Sequence, residues 1–209
     1  MVLDAYRHLA DAVLDPIARR LSNVSPNTLT WAALVCAAFA GIFFLFWGGW
    51  ALGLAALFVF LNALLDALDG KVAKMTGKAS RRGDFLDHVV DRYADVLILL
   101  GITLGPYSYQ WPWLGLLAII GVLLTSYMGT QAQAVGAGRD YRGILGRADR
   151  LVILVIAAVL QAGFDPNSIR DLGIEPLRYS VLGWAMVLFA VLGNLTAIQR
   201  AVSTWRQLS

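Results

Sequence analysis

Cysteine is almost absent from this chain, and the one residue, Cys36, lies inside an apolar run. An intrachain disulfide is therefore excluded, and packing alone must hold the fold. Charge is scarce as well. Charged side chains make up 15% of the 209 residues, against 58% hydrophobic ones. That balance is too apolar for a soluble domain and leaves no room for a separate one. Glutamate is nearly missing too: Glu175 is the single glutamate among fourteen acidic residues. There is no internal repeat, no low-complexity tract and no signal-peptide layout at the amino terminus. The net charge of +3 is small and points to no nucleic-acid partner.

What the chain does have is long apolar runs. At about 20 residues per membrane span, the pattern predicts six. They cover Thr28 to Trp47, Trp50 to Asp69, Asp84 to Gly105, Leu114 to Ala134, Leu151 to Phe164 and Ser180 to Thr204. Ahead of them, residues 3 to 21 place Leu3, Tyr6, Leu9, Ala10, Val13, Leu14 and Ile17 at helical spacing, with Asp4, Arg7, Asp11, Asp15, Arg19 and Arg20 between. That is an amphipathic helix for the membrane interface. Pro16 predicts a kink or a fresh helix start, and Ser25 or Asn27 can cap the next helix. The expected fold is all-α: an integral membrane protein of six transmembrane helices (25–209) preceded by an amphipathic helix (1–24).

The basic residues set the orientation. Lys71, Lys74, Lys78, Arg81 and Arg82 fall in a predicted loop from Lys71 to Arg82, and Arg139, Arg142, Arg147 and Arg150 in the connection before the fifth span. The turns after the first and third spans carry none. The latter instead holds Tyr107, Tyr109, Trp111 and Trp113, suited to an interface. The positive-inside rule then places the basic loops and both termini in the cytoplasm of a multi-pass cell-membrane protein.

Asp66 and Asp69 end the second span, and Asp87 and Asp91 open the third. Spacings of three and four put each pair on one helix face. Four carboxylates crowded at a membrane face repel one another unless cations neutralise them. Hard divalent ions with oxygen ligands, Mg²⁺ or Mn²⁺, meet that need, and two would balance the four charges. Asp84 and Asp95 read as a helix-start acid and a polar interior contact, and His88 falls a step off the acidic face.

The residues Asp66, Asp69, Gly70, Ala73, Gly83, Asp87 and Asp91 match the pattern D-x2-D-G-x2-A-R-x8-G-x3-D-x3-D with every spacing kept. In this the chain resembles the CDP-alcohol phosphotransferases, integral membrane enzymes of phospholipid head-group synthesis. The departure is Lys74, where the family usually has arginine. The resemblance implies transfer of a phospho-lipid group from a CDP-linked lipid alcohol to a small hydroxyl acceptor, with release of CMP. It implies two metals on Asp66, Asp69, Asp87 and Asp91, with Asp91 also as general base. It implies CDP-lipid contacts from Asn27, Thr28, Leu29, Thr30, Asp66, Gly70, Ala73, Lys74, Ser80 and Gly83. A homodimer is expected, as in related enzymes.

A second stretch, Gly143 to Leu154, resembles the segment before the fifth span in the inositol-phosphate and glycerol-phosphate branch of that family. There Arg147 and Arg150, joined by Arg200, suit a phosphate on the acceptor. Inositol-phosphate enzymes usually carry basic residues after the Ser-Tyr of the fourth span, whereas Ser126 to Gln133 is neutral here. Inositol phosphate and glycerol phosphate therefore stand level as acceptors, with an unphosphorylated alcohol as the alternative. From another class, a six-helix transporter would place its acids near the bilayer midplane.

Overall fold

Seven α-helices and no strand form among the described residues of the computed structural model, which are 7–107, 112–138, 143–163 and 180–208. They are α1 (Arg7–Arg20), α2 (Pro26–Phe44), α3 (Gly49–Met75), α4 (Arg81–Leu104), α5 (Pro112–Ala134), α6 (Arg147–Gly163) and α7 (Val181–Gln207). The expected all-helical class is met, and α2 to α7 correspond in order to the six expected spans. Four of them, α2, α3, α5 and α7, are long and apolar enough to cross a membrane. The other two are more charged at one end. In α4 that end carries Arg81, Arg82, Asp84, Asp87, Asp91, Arg92 and Asp95, and α6 has 17 residues with Arg147, Asp149 and Arg150 in its first turn. Tyr109, Trp111, Arg139, Arg142 and the 165–178 connection, like the first six residues, lie outside the described residues.

Three expectations are corrected. The helix does not restart at Pro16 but contains it, from Arg7 to Arg20. Pro16 and Ala12 are both exposed, so water can satisfy the carbonyl that loses its helical partner. Neither Ser25 nor Asn27 caps α2 through its side chain: Ser25 holds the cap position without such a bond, and Pro26 begins the helix. Proline suits that first position because its missing N–H would have no helical acceptor there. Finally, α3 does not stop near Asp69 but continues to Met75, so the connection to α4 is only 76–80.

That extension has two supports. Val72 and Leu68 are buried against Leu29 of α2 and Ala18 of α1. Lys71 Nζ lies 2.5 Å from Asp11 Oδ1 and 2.6 Å from Asp15 Oδ1, which ties α1 to α3. The acids sit one turn apart on α1, so a single ammonium reaches both. Ser80 then caps α4 by accepting a hydrogen bond from the Gly83 N–H at 3.1 Å.

The six long helices close a ring of neighbours: α2 packs on α3, α3 on α6, α6 on α7, α7 on α5, α5 on α4, and α4 on α2. Phe44, Val59, Ile98, Ile102, Val122, Leu182, Met186 and Phe189 fill its interior. Where helices touch most closely, small residues stand. A Cβ added to Gly101 of α4 would sit 2.6 Å from the Cα of Gly41 on α2. The two backbones are in direct contact, as small-residue crossings in membranes allow.

Candidate active site

The carboxylates of α3 and α4, helices joined by a five-residue connection (76–80) and both packed on α2, converge. One oxygen from each of Asp66, Asp69 and Asp87 lies within 4.8 Å of the other two, and Asp87, His88 and Asp91 form an overlapping group with the same spread. Asp69 and Asp91 are buried, at 5% and 8% exposure. Asp69 Oδ2 accepts a 2.6 Å hydrogen bond from the Thr30 hydroxyl of α2. Asp91 Oδ1 is buried without an aligned hydrogen bond. Carboxylate oxygens dominate both groups and no sulfur is present. An oxygen-dominated donor set of this kind, gathered from two helices, fits a hard divalent cation.

Beside the acids lies a cavity of about 160 Å³. Its walls include Asn27, Thr30, Asp69, Gly70, Ala73, Lys74, Ser80, Gly83 and Asp87. Seven of the expected CDP-lipid contacts are thus brought together from α2, α3 and α4. The other three stand elsewhere. Leu29 is buried in the small cluster under α1, Thr28 is exposed on the first turn of α2, and Asp66 faces Arg147. Gly70 is open: a Cβ built there meets nothing within 4 Å. Its missing side chain leaves room in the cavity and permits no close helix crossing. A Cβ on Gly83 would come to 3.3 Å from Ser80 Oγ and 3.5 Å from Asn27 Oδ1.

The arginines are anchored inside the ring. Nη1 of Arg147 lies 2.6 Å from Asp66 Oδ2 and 2.8 Å from Asp91 Oδ1, so α6 is bound to both α3 and α4 at the acidic cluster. Arg150, 4% exposed, donates to Asp95 Oδ2 at 2.8 Å. Arg200, 6% exposed, donates from α7 to the Thr125 carbonyl of α5 at 2.7 Å. Side chains this buried do not serve as head-group anchors. Their placement depends on how α6 begins. Gly143 has φ +140, and a Cβ there would strike Thr196 of α7; the Gly146 N–H donates to Asp149 Oδ2 at 3.0 Å.

Two side chains of this network were not anticipated in these roles. Arg92 Nη2 lies 3.3 Å from Asp91 Oδ2, and its Nη1 lies 3.5 Å from Asp95 Oδ2. Asp95 is the interior acid expected, but it faces three arginines. The i+4 series Asp87, Asp91, Asp95 was the available signal.

Known proteins share sequence and fold with this chain. Residues 23–198 match the family model described as CDP-alcohol phosphatidyltransferase. An archaetidylinositol phosphate synthase of Methanothermobacter thermautotrophicus is 31% identical over 208 residues, covering 99% of this chain and 96% of that one. The fold resembles crystal structures of a phosphatidylinositol phosphate synthase of Mycobacterium tuberculosis at 25% identity. With CDP-DAG bound the TM-score is 0.72, covering 93% of this chain and 94% of that one. In complex with manganese and citrate it is 0.73, covering 92% and 88%. With its aspartate motif gathered beside a glycine-lined cavity and a family match spanning most of its length, the chain belongs to the CDP-alcohol phosphatidyltransferase family.

Proposed function

We propose that this membrane transferase moves the phospho-lipid group of a CDP-linked lipid, CDP-archaeol or CDP-diacylglycerol, onto inositol phosphate, releasing CMP. The observation that carries the reading is the convergence of Asp66, Asp69 and Asp87, with Asp91 adjoining, beside the cavity of Gly70 and Gly83. The names of the relatives favour inositol phosphate; the neutral Ser126 to Gln133 segment keeps glycerol phosphate as a second acceptor. Residues 25–209 form the six-span catalytic unit in this reading, with 1–24 as its juxtamembrane helix. The basic residues around the acidic cluster support a cytoplasmic site and cytoplasmic termini. The resemblance to related enzymes supports a homodimer. A transporter gives no reason for the full aspartate–glycine motif or for the family match over residues 23–198.

Asp66, Asp69, Asp87 and Asp91 would hold two divalent cations, Mg²⁺ or Mn²⁺, which when bound neutralise charge on the pyrophosphate. The nucleotide end of the donor lies along Asn27, Thr30, Gly70, Ala73, Ser80 and Gly83, where small side chains let it approach the backbone. Thr28 and Leu29 support that wall from α2. Lys74 meets a phosphate as a point charge. Arg147, Arg150 and Arg200 bind the acceptor phosphate by charge-assisted hydrogen bonds. Asp91 takes the proton from the acceptor hydroxyl as its oxygen bonds to the lipid-side phosphorus and the bond to CMP breaks.

The test is an acceptor screen on purified protein with CDP-lipid and Mg²⁺ or Mn²⁺, scoring CMP release with inositol 1-phosphate, glycerol 3-phosphate and free inositol. Turnover should need the divalent ion, stop with chelator and vanish in Asp66→Asn and Asp87→Asn. Near wild-type turnover in either variant, shown to be folded, defeats the metal assignment. Preference for free inositol defeats the phosphate reading.

A further inference from the structure

Asp95 stands one turn past Asp91 on the same face of α4. It belongs to neither of the clustered ligand groups found among the described residues. At 5% exposure it is one of the most enclosed acids described. Three guanidinium groups face it from two helices. Arg150 Nη2 donates to its Oδ2 at 2.8 Å, Arg147 Nε lies 3.6 Å from its Oδ1, and Arg92 Nη1 lies 3.5 Å from its Oδ2.

Such a network is a poor way to gain stability, because a buried ion pair can often be replaced by apolar residues without loss. It is a good way to aim arginines. A guanidinium is a rigid planar fork with five N–H donors. A carboxylate fixed on one edge sets where the others point. Arg147 is held chiefly through Nη1, at Asp66 and Asp91; its Nε stands 3.6 Å from Asp95 Oδ1 without a hydrogen bond. Arg150 has its direct bond to Asp95 alone among the acids named above.

We propose that Asp95 is a positioning residue for the acceptor: it holds the Arg150 guanidinium in the orientation that receives the acceptor phosphate. Asp95 touches neither substrate. Its effect reaches the reaction through Arg150, and it underlies the demand for a phosphorylated acceptor. The inference rests on the acceptor role of Arg147 and Arg150 proposed above.

The experiment measures saturation curves for inositol 1-phosphate and for CDP-diacylglycerol in Asp95→Asn, Arg150→Gln and the double variant, each checked for folding by thermal melting. Asp95→Asn should raise the KM for inositol 1-phosphate about tenfold and leave the CDP-diacylglycerol KM within about twofold. The double variant should resemble Arg150→Gln, since both changes disable one device. If Asp95→Asn does not fold, Asp95→Glu carries the test. It keeps the charge but moves the carboxylate by one methylene, and its acceptor KM should rise at least about threefold. An acceptor KM unmoved in the folded Asp95 variant while Arg150→Gln raises it overturns the positioning role and leaves the acceptor reading standing. Neither variant moving it overturns both, and additive effects in the double variant show Asp95 acting elsewhere.

Discussion

The Thr30 hydroxyl of α2 donates a 2.6 Å hydrogen bond to Asp69 Oδ2 on α3. The same hydroxyl is 3.1 Å from the Pro26 carbonyl, but it has only one proton, and the bond to Asp69 is the shorter. A side chain from a third helix thereby orients one carboxylate of the α3–α4 cluster. Partners that orient metal ligands commonly change metal affinity by about 10–100-fold when removed. Thr30→Val keeps the shape and loses the donor. The Mn²⁺ concentration for half-maximal CMP release should rise about tenfold, checked by metal titration of turnover and by Mn²⁺ binding followed with EPR. An unchanged Mn²⁺ affinity would reduce Thr30 to a wall of the cavity.

That bond also marks the limit of what could be read from the chain. The aspartates were legible because their partners are local: i+3 and i+4 spacing forces them onto shared faces, whatever the rest of the fold does. The extension of α3 to Met75 was not. Gly70, Lys71 and Lys74 look like loop, and the extra turns rest on partners far away in sequence: Asp11 and Asp15 for Lys71, Ala18 and Leu29 for Val72. The arginines were legible as basic residues near the site. Their pairing of Arg147 with Asp66 and Asp91, and of Arg150 with Asp95, depends on how α6 meets α3 and α4, which no local pattern encodes.

The Gly41–Gly101 crossing yields a stability prediction. A side chain on Gly101 would enter the Gly41 backbone, and Gly105 one turn later is equally closed by the Phe44 carbonyl. Backbone cannot step aside as a flexible side chain can, so α2 and α4 must separate. Gly101→Val should destabilise the detergent-solubilised protein by about 1–3 kcal/mol or more, as overpacking generally does. Gly53→Val is the control: a Cβ on Gly53 meets nothing within 4 Å. Thermal melting of both variants reads the difference, and equal melting temperatures would place no such constraint on the crossing.

Lys74 is the family motif's one departure here, and its position makes the departure testable. It lines the cavity with Gly70 and Ala73, so its ammonium is within the space assigned to the donor. A lysine offers a compact charge on a flexible stem, whereas arginine offers a planar fork that can hold two phosphate oxygens at once. If Lys74 meets a phosphate of the CDP-lipid, Lys74→Ala loses a charge-assisted contact at a partly solvated site. The CDP-lipid KM should then rise about three- to tenfold with little change in kcat. Lys74→Arg should match wild type or lower that KM, because the second donor reaches the same group. The acceptor KM should stay put in both variants, since Arg147, Arg150 and Arg200 serve that substrate. The measurement is a pair of saturation curves for each variant. A CDP-lipid KM unmoved in Lys74→Ala would make Lys74 a solvated residue at the cavity rim, while an acceptor KM that rises instead would move the boundary between the two substrates toward α3.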